Sequence, residues 1–332
     1  MITRDKTNFT ENDARVREKL NANDRPVQQK GSALYNSSRM IRTGPVDFDE
    51  RIAKHEGGIM ALASREAVTM PPTTSIINAI RTMTQNGFRR IPITDAGTNR
   101  LEGIVTSVDI IDFLGGGSKN LLVEEHYRGN LLAAINSQVR EIMQEDVVSI
   151  RDNADIGDAI KLMLEHNTSG LPIVDSGNRV VAICTEKDLI RFAAGITSTE
   201  TVSQYMSRKV MTTPPDTTIG EAARIMIENG FRRIPLVNNG KIIGMVTASD
   251  IMHFLGKGSA FDKLTTGNIH EAFDEPVLSL VSKGVVKTSP DKDMGEAAQI
   301  MIENNIGSLP VMEGDFLVGI ITERDFLRSI SE

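Results

Sequence analysis

One hydrophobic pattern occurs four times along the chain, and each copy begins with an amphipathic helix. Apolar residues recur three and seven positions after the first apolar residue, which is the spacing of one face of an α-helix of about three turns. The residue three positions after the first is alanine in every copy, so each helix can approach its packing partner closely. The first positions are Ile76, Ile156, Ile219 and Met294, followed by Ala79, Ala159, Ala222 and Ala297, and then by Met83, Met163, Met226 and Met301.

Each helix is predicted to end at a glycine or asparagine, because these residues enter the left-handed conformation at low cost. Five residues later, Ile-Pro or Leu-Pro marks a short apolar strand. Proline cannot donate to a ladder, so we expect it at a strand start or edge. Turn residues and a second apolar strand then complete a β-hairpin. The helix ends are Gly87, Asn167, Gly230 and Asn305, and the prolines are Pro92, Pro172, Pro235 and Pro310.

Every hairpin ends in Thr-x-x-Asp, where a second apolar helix is predicted to begin. A further short strand is predicted before the first helix, at 67–69, 147–149, 210–212 and 285–287. A unit of about 50 residues buries little core alone, so the units are expected to pair. The motif residues are Thr106 and Asp109, Thr185 and Asp188, Thr247 and Asp250, and Thr322 and Asp325.

A longer repeat relates the first copy to the third and the second to the fourth. Phe88-Arg-Arg-Ile-Pro92 recurs as Phe231-Arg-Arg-Ile-Pro235, for example. We therefore predict an α/β (α+β) fold of four β-α-β-β-α units packed as two pseudo-twofold pairs. Units 1 to 4 span about 60–117, 139–194, 202–257 and 277–332, the pairs span 57–194 and 195–332, and residues 1–56 form a polar N-terminal extension.

The Thr-x-x-Asp motif has two compatible interpretations. In a capping box, the threonine hydroxyl accepts a backbone N–H and the acid reaches back to another. In a ligand site, the helix N-terminus and the hydroxyl favour a phosphate, while the carboxylate accepts the hydroxyls of a ribose. An exposed cap can still accept a ligand.

Two arginine pairs favour the ligand interpretation over a solvated surface. Arg89-Arg90 and Arg232-Arg233 occupy identical positions before Ile-Pro in units 1 and 3. Guanidinium groups hold phosphate oxygens in a bidentate manner. Units 2 and 4 carry Ser169-Gly170 and Gly307-Ser308 at these positions, so we expect two classes of site.

Composition excludes several other classes of protein. The net charge of -7 argues against a protein-wide nucleic-acid surface, although residues 1–42 hold nine Lys/Arg against five Asp/Glu. The one cysteine, Cys184, lies in an apolar strand and is expected to be buried and inert. The five histidines fall in no metal-ligand spacing, and no catalytic constellation appears. We expect a cytoplasmic protein that is not an enzyme, with no metal, no catalytic cofactor and no membrane span.

With four Ile/Leu-Pro strands and four Thr-x-x-Asp helix starts, residues 57–332 resemble the cystathionine β-synthase-type (CBS) domain family. The resemblance implies paired units with two clefts, association into disc-like homo-oligomers, and an adenosine-containing ligand: AMP, ADP, ATP or S-adenosylmethionine. It places ribose hydroxyls on the four motif aspartates, ribose and phosphate near the four threonines, and phosphate on Arg90 and Arg233. It also places the base or ribose near Thr69, Ser149, Thr212 and Lys287.

These observations predict a regulatory adenine-nucleotide sensor that changes its module packing, or its affinity for a regulated protein, when ligand binds. Two alternatives stay open. One is a nucleic-acid-binding or transcription-linked adaptor that uses the basic N-terminal arm. The other is a scaffold whose clefts hold no ligand.

Overall fold

The structure, a computed structural model, describes residues 58–194, 198–281 and 284–331. The predicted extension at 1–56 lies outside the described residues. Unit 1 comprises a 3-10 turn (Ile59–Ala61), α1 (Ile76–Asn86), β1 (Arg90–Thr94), β2 (Leu101–Thr106), α2 (Ser107–Leu114), a π-helical turn (Leu122–His126), α3 (Leu131–Asn136) and a 3-10 turn (Val139–Glu141). Unit 2 comprises β3 (Ile150–Arg151), α4 (Ile156–Glu165), β4 (Gly170–Val174), β5 (Val180–Thr185) and α5 (Glu186–Ala193).

Units 3 and 4 repeat this order, which confirms the predicted mixed α/β class. Unit 3 comprises α6 (Val202–Tyr205), α7 (Ile219–Asn229), β6 (Arg233–Asn238), β7 (Lys241–Thr247), α8 (Ala248–Gly256), a 3-10 turn (Phe261–Lys263), α9 (Ile269–Phe273) and a 3-10 turn (Val277–Leu280). Unit 4 comprises α10 (Met294–Glu303), β8 (Ser308–Glu313), β9 (Phe316–Thr322) and α11 (Glu323–Ser331). None of these helices is long and apolar enough to cross a lipid bilayer.

The predicted helix ends are confirmed in all four units. Gly87, Asn167, Gly230 and Asn305 have φ angles of 68°, 50°, 66° and 54°. These residues therefore end α1, α4, α7 and α10, or directly follow the last turn of these helices, in the left-handed conformation. This conformation lets backbone N–H groups reach the otherwise unpaired carbonyls of the last turn.

The predicted upstream strands are wrong in position and length. Each lies at least one residue later, and in units 1, 3 and 4 it is a single parallel bridge: Met70 with Ile93, Thr213 with Leu236, and Thr288 with Val311. In unit 2 it is the two-residue β3, paired with β4.

Proline limits the hydrogen bonding between each hairpin and its upstream strand. In unit 1 the Pro92 carbonyl accepts the Met70 N–H at 3.2 Å, and the Thr94 N–H donates to the Met70 carbonyl at 2.9 Å. Pro92 has no N–H with which to extend the ladder. Pro92 is the third residue of β1, so it is not at the strand start, but β1 is an edge strand of a two-stranded sheet, as expected. In unit 2 the expectation is wrong, because Pro172 lies within β4, the central strand of three.

The buried side chains form two hydrophobic clusters, each built mainly from two non-consecutive units. One combines units 1 and 3, where α8 packs on α1 and α2, and α2 packs on α7. The other combines units 2 and 4, where α5 packs on α10 and α11, and α11 also packs on α4. Ile59 of unit 1 and Val202 and Met206 of unit 3 are exceptions, because they join the cluster of units 2 and 4. We refer to the two clusters as the 1/3 core and the 2/4 core.

Units 1 and 2 meet instead through backbone hydrogen bonds between loops and strands. Leu101 N–H donates to the Asn178 carbonyl at 2.9 Å, and Val180 N–H donates to the Asn99 carbonyl at 3.1 Å. Each unit therefore contributes helices to one partner and strands to another. The division into modules at 57–194 and 195–332 stays a prediction.

Two glycine substitutions should have opposite effects on stability. A Cβ at Gly87 or at Gly157 would have no neighbouring heavy atom within 4 Å, so only the backbone distinguishes the two sites. Gly87→Ala should cost about 1 kcal/mol because its φ is positive, whereas Gly157→Ala within α4 should gain about 0.5 kcal/mol. Chemical denaturation of both variants tests this, and a shift of the same sign in both would contradict it.

Candidate functional site

Each Thr-x-x-Asp motif places its aspartate at the first turn of a helix, with the threonine immediately before that helix. In unit 1, Asp109 Oδ2 accepts the Thr106 N–H at 2.8 Å and the Thr106 hydroxyl at 2.6 Å. The other three motifs make the same pair of bonds, between 2.6 and 2.9 Å. Asp Oδ2 is thus committed to the cap, and Oδ1 is the oxygen left for other partners.

The partner of Oδ1 differs between units. Asp188 and Asp325 each contact an arginine three residues later on the same helix. Arg191 lies 3.3 Å from Asp188 Oδ1, Arg328 lies 3.4 Å from Asp325 Oδ1, and both arginine side chains are 56% exposed. Asp109 Oδ1 instead accepts two bonds of 2.8 Å from residues outside its helix, Lys119 and Gln144.

A cavity of about 510 Å³, which we call the central cavity, is lined by residues of all four units and of the segments between them. It brings together seven of the predicted site residues: Arg89, Arg90, Arg232, Arg233, Thr106, Thr322 and Asp325. A second cavity of about 510 Å³ is lined by Asp250, together with His253, Lys257 and Glu275. Neither cavity is lined by Asp109, Thr185, Asp188, Thr247, Thr69 or Thr212.

Two arginines in the central cavity pair with glutamates from the other core. Arg89 Nη2 lies 2.7 Å from Glu323 Oε2, and Arg232 Nη2 lies 3.3 Å from Glu186 Oε2. Both glutamates are buried at the N-terminus of a helix that follows a Thr-x-x-Asp threonine. Arg324 also donates to Glu186, at 2.9 Å. The Arg89–Glu323 and Arg232–Glu186 pairs therefore connect units 1 and 3 to units 4 and 2.

The second arginine of each pair has a different environment in units 1 and 3. Arg90 donates to the Gly170 carbonyl at 2.9 Å and to the Ser169 hydroxyl, which also accepts from Arg232 at 2.5 Å. Arg233 Nη1 is buried and has no hydrogen-bond partner among the described residues. A buried guanidinium nitrogen without an acceptor is costly, and an anion in the cavity would supply one.

The pKa values reflect an excess of buried positive charge. Burial, followed by the charge of Arg232, lowers the pKa of Arg233 to about 10. Burial and the charges of Arg232 and Arg89 lower the pKa of Arg90 to about 9. Burial acts to raise the pKa of Glu323, but the arginines outweigh it and hold this pKa below its usual value. A ligand with negative charge would stabilise the charged arginines.

Burial also raises the pKa of Asp325, although the hydrogen bonds from Thr322 and the charge of Arg328 oppose the shift. This carboxylate is therefore partly desolvated, and hydroxyl donors from a ligand would restore hydrogen bonds that water supplies elsewhere. The central cavity thus combines cations for phosphate with an acceptor for hydroxyl groups.

Three residues of this site were not identified from the sequence: Glu186, Glu323 and Arg324. A signal for the glutamates exists, because units 2 and 4 read Thr-Glu-x-Asp where units 1 and 3 have Ser107 and Ala248. The glutamates occur only in the two units that lack an arginine pair. This distribution indicates that the glutamates of units 2 and 4 pair with the arginines of units 1 and 3. Their pairing with Arg232 and Arg89 depends on the way the units pack.

Neither a reactive thiol nor a metal centre is found in the part of the chain that the structure describes. Cys184 is buried, which raises the pKa of its thiol to about 12, so a nucleophilic thiolate is disfavoured. Among the described residues, no group of three or more His, Cys, Asp or Glu side chains could hold a metal ion.

Comparison with known proteins identifies the repeat. The family model of the CBS domain matches residues 59–116, 139–195, 202–257 and 277–332. The chain belongs to the CBS domain family. The four matched segments coincide closely with the four units predicted from the sequence.

Protein MJ1225 of Methanocaldococcus jannaschii is 40% identical over 273 residues, which are 81% of this chain and 98% of that protein. Its crystal structure has a TM-score of 0.78 and covers 82% of this CBS protein and 99% of that chain, at 39% identity. A 33.4 kDa protein encoded in a ribosomal RNA operon of Thermofilum pendens is 30% identical over 258 residues, 78% of this chain and 86% of that protein. A Pyrococcus horikoshii protein shares the fold, with a TM-score of 0.54 and 20% identity, and covers 82% of this chain and 99% of its own.

Proposed function

We propose that this protein binds an adenine nucleotide (AMP, ADP or ATP) and acts as a regulatory sensor without a catalytic step of its own. One observation carries the proposal: Arg233, whose buried Nη1 has no hydrogen-bond partner among the described residues, lines the same cavity as the Thr322–Asp325 helix start. The first feature requires an anion, and the second offers both a hydroxyl acceptor and a helix N-terminus. Phosphate and ribose are the two groups that match this combination.

The cavity suggests how such a ligand lies. Its phosphate would contact Arg233 and Arg232, and its ribose hydroxyls would reach Asp325 Oδ1 in place of the exposed Arg328. Its base would pack against Val210 and Met211, apolar residues of the cavity wall. A cavity of about 510 Å³ falls within the usual range for small-molecule sites.

The same arrangement supports a regulatory role. The arginines belong to units 1 and 3, whose helices form the 1/3 core, while Thr322 and Asp325 belong to unit 4, whose helices form the 2/4 core. A phosphate would compete with Glu186 and Glu323 for the arginines, so binding would bias the packing of one core on the other. A ligand shifts such an equilibrium by its difference in affinity for the two states. The description of the M. jannaschii relative as a proposed archaeal homologue of γ-AMPK supports the same role.

Calorimetry with AMP, ADP, ATP and S-adenosylmethionine tests the proposal on wild type and Asp325→Asn. We expect the phosphate-bearing ligands to bind, S-adenosylmethionine to bind more weakly because it brings no anionic phosphate, and Asp325→Asn to weaken AMP binding about tenfold or more. Asparagine keeps an oxygen for the cap, so the helix start is retained.

Asp158→Asn is the matched control. Asp158 holds the same position in the capping box of α4 but does not line the central cavity. It should leave AMP binding unchanged. The absence of heat for all four ligands with wild type would refute the proposal.

A further inference from the structure

The four motif aspartates are not equally available to a ligand, and Asp109 is the exception. Its Oδ1 accepts Lys119 Nζ and Gln144 Nε2, each at 2.8 Å, while its Oδ2 accepts both bonds from Thr106. A carboxylate offers about four acceptor positions, so all of those on Asp109 are used. The Asp109 side chain is 5% exposed and that of Asp325 is 4% exposed, so the partners of Oδ1 and not burial distinguish the two.

Lys119 is held in this position by a second acceptor. Its Nζ also donates to the Ile142 carbonyl at 2.7 Å, and its side chain is 28% exposed. The arginines beside Asp188 and Asp325 are 56% exposed and make longer contacts of 3.3 and 3.4 Å. A ligand hydroxyl can replace such an exposed arginine at little cost, whereas displacing Lys119 breaks two short charge-assisted bonds.

The lining of the central cavity agrees with this distinction. Thr322 and Asp325 both line it in unit 4. In unit 1 Thr106 and Gln144 line it, but Asp109 and Lys119 do not. Gln144 and Lys119 both donate to the Asp109 carboxylate. The hydroxyl-accepting half of the unit 1 site is therefore covered by the chain itself.

The sequence shows that this lysine is particular to unit 1. The segment Phe113-Leu-Gly-Gly-Gly-Ser118-Lys119 corresponds to Phe254-Leu-Gly-Lys-Gly-Ser259-Ala260 in unit 3. The position of Lys119 is thus held in unit 3 by Ala260, which is fully buried. The two sister units share the arginine pair and the motif aspartate but differ in this internal cation.

We propose that Lys119 closes the ribose position of unit 1, so that this unit binds no nucleotide through Asp109 while its arginines serve the central cavity. This inference rests on the proposed adenine-nucleotide function and assigns Lys119 as the residue that limits the number of sites. Removing its side chain should leave Asp109 Oδ1 with Gln144 alone and open a further site of the same ligand class.

Calorimetric stoichiometry with AMP tests the inference on wild type, Lys119→Ala and Lys119→Ala/Asp109→Asn. We expect Lys119→Ala to bind one more equivalent of AMP than wild type, and the double variant to return to the wild-type number. Lys161→Ala is the control, since it removes a lysine from an exposed pair with Glu165 and should not change the stoichiometry.

A second comparison does not depend on how well Lys119→Ala folds. Asp109→Asn alone should leave the stoichiometry and affinity for AMP unchanged, whereas Asp325→Asn should weaken binding. Equal stoichiometry in wild type and folded Lys119→Ala, or a site lost in Asp109→Asn, would overturn the role of Lys119 and leave the nucleotide proposal standing. If neither wild type nor Lys119→Ala binds AMP, ADP or ATP, the nucleotide proposal fails and this inference fails with it.

Discussion

Glu186→Gln is expected to lower the free energy of unfolding by about 3–5 kcal/mol, the cost of removing one partner of a buried ion pair. The Glu186 side chain has no exposed surface, and its two oxygens contact Arg232 at 3.3 Å and Arg324 at 2.9 Å. Glutamine fills the same volume but leaves both guanidinium groups without a compensating charge. Denaturant unfolding of the variant measures the loss.

An anion should restore part of this stability. Inorganic phosphate that binds the folded cavity and not the unfolded chain raises the free energy of unfolding by mass action. We therefore expect phosphate to stabilise Glu186→Gln more than wild type at equal ionic strength, with chloride as the reference salt. Glu165→Gln, which removes one end of an exposed pair with Lys161, should change stability by less than about 1 kcal/mol. Equal midpoints for Glu186→Gln and wild type would contradict this account of the cavity.

Arg233→Met is expected to reduce AMP affinity about 10- to 100-fold, the range for a lost hydrogen bond between charged groups. The same variant should raise the free energy of unfolding by about 1 kcal/mol, because it removes a buried cationic group whose Nη1 has no partner among the described residues. Stability and binding thus change in opposite directions, as expected where a site holds charge for a ligand. Calorimetry and denaturant unfolding on one preparation measure both.

Arg90→Met is the matched comparison at the same position of unit 1. The Arg90 guanidinium donates to the Gly170 carbonyl and to Ser169, so its removal breaks two buried charge-assisted hydrogen bonds. It should cost about 1–3 kcal/mol of stability. Loss of stability in both variants, with AMP affinity retained in Arg233→Met, would contradict the assignment of Arg233 to the phosphate.

Local signals in the sequence were sufficient for the repeated helices and hairpins and for the caps. Gly87 and Asn305 marked left-handed residues at helix ends because few other residues tolerate that conformation. The Thr-x-x-Asp spacing predicted the capping box because residues three apart meet at a helix N-terminus. In both cases the physical cause lies within a few residues of the chain.

Features set by contacts between distant residues could not be predicted in this way. The pairing of Arg89 with Glu323 spans 234 positions and follows from the way the units pack. The 1/3 and 2/4 cores depend on which helix faces meet, and the hydrophobic period does not specify the partner. Lys119 lies ten residues after Asp109, in a segment whose path the pattern does not define. The short upstream strands could be predicted only in part. Their existence follows from the local pattern, but a proline in the next strand limits their pairing to one or two residues.

The most direct test of the central claim is a crystal structure of the wild-type protein grown with AMP. We predict AMP in the central cavity, with its phosphate within hydrogen-bond distance of Arg233 and its ribose hydroxyls on Asp325 Oδ1. Asp109 should retain Lys119 and Gln144 as its partners. AMP bound elsewhere, or a central cavity without AMP at saturating concentration, would contradict the claim that these arginines form the nucleotide site.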